Sequence, residues 1–169
     1  RHSGSTSRIN DVGGLAGVRE AERRRMTVDC FRIDEKLIAL ERNITKTDKR
    51  RLVPMCNRLV GLLNDLPKEG PIIVSSDPSA RFCEFLREIK LAPRHNGLRD
   101  AFISYRIALG IPKFQVAEES GNSIKKIEAS YQSIRLQDGR LITRALALKW
   151  FGLSENVRTE FEKVKNAYI

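Results

Sequence analysis

Two textures of apolar spacing divide the chain. Over residues 27–34, 36–42 and 51–55 apolar and polar positions alternate, with turn-like breaks at Asp34-Glu35 and at Lys46-Thr47-Asp48. Alternation of this kind is the mark of half-buried strands, and it predicts a small three-stranded antiparallel sheet. After Met55 the apolar positions recur at three and four residues, as on helix faces. Leu59, Leu62 and Leu63 share one face, Phe82, Phe85, Leu86 and Ile89 a second, and Leu98, Phe102, Tyr105 and Leu109 a third. Breaks fall at residues 67–71, Pro93, 110–112, Gly121 and 138–139. Residues 15–25 also read as helical, whereas residues 1–12, rich in Ser, Arg and Gly, read as a disordered or truncated start. The expected fold class is α+β, mainly α: one domain over residues 13–169, with helices packed around a small sheet near the N-terminus.

Length and composition agree with this picture. The 169 residues suffice for one core, and 41% hydrophobic with 31% charged residues is a globular profile. No run approaches the roughly 18 apolar residues of a membrane-spanning helix, and residues 1–8 lack the apolar run of a secretory signal. Cys30, Cys56 and Cys83 are widely spaced and odd in number, with no Cys-x-x-Cys pair and two histidines in the chain. Buried free thiols in a reducing cytoplasm fit that better than a zinc site or disulfides. The net charge of +10 is what changes the reading. Residues 1–70 hold 15 Lys+Arg against 10 Asp+Glu, and residues 71–169 hold 16 against 11. An excess spread through a folded domain suits a nucleic-acid surface better than a charged tail does.

Four segments carry candidate chemistry. They are Gly17-Val18-Arg19-Glu20-Ala21-Glu22; Lys46 in a polar turn, followed by Lys49-Arg50-Arg51-Leu52-Val53-Pro54; Asn96-Gly97-Leu98-Arg99-Asp100-Ala101-Phe102; and Gly121-Asn122-Ser123 with Tyr131 ten residues after the glycine. In order and spacing these resemble the catalytic domain of the tyrosine recombinase (phage integrase) family, in its Gly-x-Arg-x-x-Glu, lysine hairpin with Arg-x-Val-Pro, His-x-x-Arg-x-x-Phe and Gly-His boxes. Singly each match is weak; four in order across one α–β–α pattern are far more specific.

The resemblance implies site-specific DNA strand cleavage and rejoining. A tyrosine attacks a DNA phosphodiester and forms a 3′-phosphotyrosyl bond, which splits one hard displacement into two easier transesterifications. Two arginines clamp the non-bridging oxygens with forked, permanently charged donors, and a lysine on a mobile hairpin protonates the leaving 5′-oxygen. By resemblance, Arg19 and Arg99 are the clamp, Lys46 the general acid, Tyr131 the nucleophile, and Asn96 and Asn122 occupy the positions of the two family histidines. Glu22, three residues after Arg19, is placed to hold that arginine. Lys49, Arg50, Arg51, Lys125 and Lys126 are expected DNA contacts. No cofactor and no metal is implied. The expected partner is double-stranded DNA in the cytoplasm, with no membrane.

The departures from the family matter chemically. Asparagine can donate a hydrogen bond to a phosphate oxygen, but it has no titratable base near neutral pH to take the tyrosine proton; general-base help is worth about 10²–10⁴-fold. His95 adjoins Asn96, but one residue of displacement turns a helical side chain by about 100°, and it reads as an exposed loop residue. Family members carry a helical DNA-clamping domain ahead of the catalytic one, so the sequence reads as a C-terminal fragment without it. A catalytically impaired remnant is one alternative. Another is a non-catalytic DNA-binding regulator, with Ala117, Gly121 and Ile127 at the small, turn and core positions of a helix-turn-helix and Ser123, Lys125 and Lys126 facing DNA. Finally, Val157, Phe161, Val164 and Tyr168 form an apolar stripe on an expected C-terminal helix. The helix either folds back on its own domain or is passed to a second copy, making a homo-oligomer on DNA.

Overall fold

The computed structural model describes residues 3–46, 48–64, 69–72, 78–130 and 139–153. Tyr131 and the C-terminal stripe lie outside the described residues.

Helix α1 (Ser3–Ala16) opens the chain, followed by the single turn α2 (Glu20–Arg23). The sheet comprises β1 (Phe31–Arg32), β2 (Leu37–Leu40) and β3 (Arg51–Pro54). It is antiparallel in the order β1-β2-β3, with Phe31 opposite Ile38 and Leu40 opposite Arg51. Then come α3 (Asn57–Leu63), α4 (Pro78–Glu88), α5 (Gly97–Ala108), α6 (Lys113–Ser120), α7 (Ile124–Ser130) and α8 (Arg144–Phe151). This is the expected class, mainly helical with one small sheet. Among the described residues no helix is long and apolar enough to cross a membrane.

Several local readings differ. Of the strand expected over 27–34 only Phe31–Arg32 pairs, because Val28–Cys30 form a 3-10 turn, and the helix expected over 15–25 is broken between Ala16 and Glu20, where Gly17 turns to positive φ. The stretch expected to be loosely held is helical from Ser3, because Val12, Leu15 and Ala16 are buried and the helix docks on α3, α4 and α5. Gly13 and Gly14 let it approach closely: a Cβ on Gly13 would lie 2.8 Å from the Arg23 guanidinium, and one on Gly14 3.3 Å from the Trp150 ring. Tertiary packing, not propensity, makes this helix. Strand β2 does not alternate: its four residues are all buried, as a central strand covered on both faces requires.

Helix α5 organises the core. It packs against α1, α6 and α8, and Phe102, Ile103 and Tyr105 are buried on it. Phe102 meets Phe151 of α8 edge-on at 6.1 Å, and Tyr105 stacks on Trp150 at 4.6 Å, geometries that aromatic quadrupoles favour. Leu59 and Leu63 are buried as their spacing predicts, but Leu62 is exposed, as are Phe85 and Ile89 of α4. Cys30 and Cys56 are buried free thiols and Cys83 is half-buried.

One buried ion pair fixes α6 on α5. Arg106 donates from Nε to Glu119 Oε2 at 2.8 Å and from Nη2 to Oε1, and Gln115 Nε2 donates to the same Oε1 at 2.9 Å. Helix α6 also packs on β3. It ends at Gly121 in the left-handed region, φ 63°, with the Gly121 N–H on the Glu118 carbonyl and the Asn122 N–H on Ala117. This double closure is a Schellman ending, and it fixes where Gly121 and Asn122 sit.

Candidate active site

Gly17 starts the site. At φ 64° it lies where L side chains are strained, and a Cβ there would fall 2.3 Å from the Phe102 ring. Its bare backbone rests on α5, so its carbonyl accepts Arg99 Nη1 at 2.7 Å. Two residues on, Arg19 caps α2 in an extended conformation. The Glu22 carboxylate reaches back to the Arg19 N–H at 3.0 Å and to its Nη1 at 2.9 Å, the reciprocal half of a capping box. Arg19 Nη2 donates to the Gly121 carbonyl. Arg99, in the first turn of α5 and 6% exposed, donates from Nη2 to Asn122 Oδ1 at 2.9 Å.

Arg19 and Arg99 therefore meet on the same dipeptide, Gly121-Asn122. Three of the four motif segments converge there from α2, α5 and the α6–α7 turn. The fourth contributes Arg51, which was expected to face DNA beside Lys49 and Arg50. It is buried instead, 8% exposed, and its Nη2 lies 2.7 Å from Glu22 Oε2. The strand explains the difference: Arg51 and Val53 point inward on β3 and Leu52 outward. The period of two was readable in the sequence, but the basic run around Arg51 masked it.

Glu22 is 1% exposed. Burial alone would push its carboxyl up, but the Arg51 and Arg19 guanidinium groups outweigh burial and hold it below the ordinary value of 4.5. Gly121 gives these cations room. A Cβ there would lie 2.1 Å from Arg51 Nη1 and 3.1 Å from Arg19 Nη1.

The remaining candidates are dispersed. Lys46 is exposed on the loop between β2 and β3. That loop is closed at its neck by hydrogen bonds. Thr45 is buried and its hydroxyl donates to the Lys49 carbonyl and accepts the Lys49 N–H, at 2.9 and 3.1 Å. Arg25 Nη1 donates to the Ile44 carbonyl at 3.1 Å, tying the loop to the segment after α2. Sequence reading missed both anchors, since a threonine in a polar turn looks like any other turn residue. Asn96 is exposed and caps α5 with φ 58°, three residues before Arg99. His95 is exposed as expected, and so are Lys49, Lys125 and Lys126. Arg50 is half-exposed and pairs with Glu41 at 3.2 Å. Tyr131 follows Ser130, the last residue of α7, outside the described residues.

No protein-family model matches the chain, and no curated protein matches it in sequence. Among solved structures the chain is similar to the crystal structure of XerA recombinase. The TM-score is 0.59 over 96% of this chain and 63% of that one, at 15% sequence identity. This chain thus spans under two thirds of the length of that protein, and similarity at this identity is similarity of fold.

Proposed function

We propose that this chain is a tyrosine recombinase catalytic domain, which cuts and rejoins DNA strands at specific sites through a 3′-phosphotyrosyl intermediate. The observation that carries this reading is the meeting of Arg19 and Arg99 on Gly121-Asn122. A basic fold of recombinase type and the order of the four motifs support it.

A phosphodiester held by Arg19 and Arg99 would take over donors that now rest on a carbonyl and an amide oxygen, both weaker acceptors than a phosphate anion. The Tyr131 oxygen attacks phosphorus, the P–O5′ bond breaks, and Lys46 gives its proton to the leaving 5′-oxygen. The second transesterification reverses these roles with a new 5′-hydroxyl. Neither Asn96 nor Asn122 can take the phenolic proton, so that proton passes to water. The enzyme is then slow at neutral pH and faster as pH rises and the phenol gives up its proton more readily.

The test is a nicked duplex whose cleavage releases a short strand and strands the covalent adduct. A protein–DNA adduct lost in Tyr131→Phe supports the reading. Folded protein that binds the duplex and never forms the adduct refutes it, and leaves either an impaired remnant or a regulator. One observation favours the regulator: Ala117 and Ile127 are buried about the Gly121 turn while Ser123, Lys125 and Lys126 are exposed, as in a DNA-reading bihelical unit. Binding that selects one sequence and survives high salt would favour that second reading. It leaves the Arg19, Arg51 and Arg99 cluster without a role.

A further inference from the structure

We propose that Arg51 is a positioning residue that acts on Arg19 through Glu22, and so sets the phosphate clamp without touching DNA. The inference rests on the catalytic reading above for its consequence, but not for its geometry.

Each oxygen of the Glu22 carboxylate is shared between the two arginines. Oε1 accepts Arg19 Nη1 at 2.9 Å and Arg51 Nη1 at 3.3 Å. Oε2 accepts the Arg19 backbone N–H at 3.0 Å and Arg51 Nη2 at 2.7 Å. Arg51 thus supplies two of the four donors that hold this buried carboxylate, in the forked geometry that guanidinium groups favour. It comes from the sheet, at the first residue of β3, whereas Arg19 and Glu22 belong to the α2 turn. The carboxylate is fixed from outside its own element, and through it Arg19 Nη1 is fixed too, which leaves Nη2 directed at Gly121.

Two further observations describe how Arg51 is packed against the clamp. Gly121, on the segment where the clamp meets, is the residue whose missing side chain makes room for Arg51, with a Cβ distance of 2.1 Å to Arg51 Nη1. Arg51 Nε is buried with no hydrogen-bond partner among the described residues. A buried donor left unsatisfied carries a cost, which the two Nη contacts with Glu22 must offset.

Arg51→Met and Arg51→Lys decide the matter, read against the Nε–H signal of Arg19 by ¹⁵N NMR and against adduct formation on the nicked duplex. In Arg51→Met, Glu22 loses the cation that offsets its burial. Its proton affinity rises, and lowering the pH from neutral should protonate it and release Arg19. The Arg19 signal should then move between neutral pH and the ordinary carboxyl value of 4.5 in this variant and stay fixed over that range in the parent protein. Adduct formation should fall about 10- to 100-fold, the effect of misplacing a catalytic group, and fall further toward acid. Arg51→Lys keeps the charge but not the fork, and should restore the pH-independent Arg19 signal over that range with only part of the rate. Should Arg51→Met not fold, Arg51→Gln, which is neutral with a donor retained, gives the same comparison. An Arg19 signal that stays at the parental position, independent of pH, in a folded neutral variant overturns the proposal, whatever the loss in thermal stability. If the parent protein forms no adduct, the catalytic reading fails while the NMR comparison still decides the role of Arg51.

Discussion

Arg99 Nη2 and Asn122 Oδ1 lie 2.9 Å apart, and this contact orients the asparagine. A guanidinium carries donors alone, so the amide oxygen must face it. The Asn122 amino group is turned to the other side, as a donor. On the proposed reading, Asn122 helps to hold a phosphate beside Arg99 but offers the attacking tyrosine no base.

Replacing Asn122 by histidine should restore a titratable group at this position. Asn122→His should raise adduct formation at neutral pH by about 100-fold, the lower end of the range for general-base help, and flatten its rise with pH. Asn122→Ala should slow the reaction at every pH. Single-turnover rates on the nicked duplex across a pH series check both.

Gly121→Ala should fail twice. The residue sits at φ 63°, and the added Cβ would fall 2.1 Å from Arg51 Nη1 and 3.1 Å from Arg19 Nη1. Strain and overpacking of this kind cost about 1–3 kcal/mol, readable in a urea melt. Unlike a remote destabilising change, it should also weaken phosphate binding in protein that remains folded.

How much of this was legible beforehand depends on what each residue answers to. The turns that bound the sheet strands and the breaks at Gly110 and Gly121 follow from turn residues, which are local, whereas the chemistry-bearing motifs were legible only through the resemblance. The helix over Ser3–Ala16 has no such local origin, since it exists because Val12, Leu15 and Ala16 find α3, α4 and α5. Arg19 and Arg99 were readable as a pair through the resemblance. Arg51 was misread as a surface residue because its burial depends on a carboxylate far away in sequence. Thr45 carries no local sign of the neck it closes.

The pair that fixes α6 gives a stability test remote from the clamp. Glu119→Ala would leave Arg106, 2% exposed, without its forked partner. Breaking one side of such a buried pair costs about 3–5 kcal/mol. Glu119→Gln, which keeps an acceptor, should cost less. Denaturant unfolding of the two variants ranks them.

Acid should weaken the fold through Glu22. Its folded-state proton affinity is lowered, so its contribution to stability is complete above the ordinary value of 4.5 and is lost as pH falls through the lower, folded one. Glu22→Gln should therefore be less stable than the parent near neutral pH, and the difference should shrink toward strong acid. Urea midpoints measured across an acid series would show this convergence; a constant difference would contradict it.

DNA affinity should be governed by phosphate contacts, falling steeply with salt. If Lys125 and Lys126 each contact a phosphate, replacing either by alanine should lower the log–log salt slope by about 0.9. Fluorescence anisotropy over a salt series reads the slope directly. Unchanged slopes would place DNA elsewhere.

The central claim is that Arg19 and Arg99 hold one phosphate between them. A short phosphodiester titrated into ¹⁵N-labelled protein tests it most directly, with the side-chain Nε–H signals of the two arginines followed together. One shared phosphate requires both signals to move and to saturate at the same concentration, and Arg99→Lys should weaken the response of Arg19. If either signal fails to move, or if the two saturate independently, the two arginines are not a clamp.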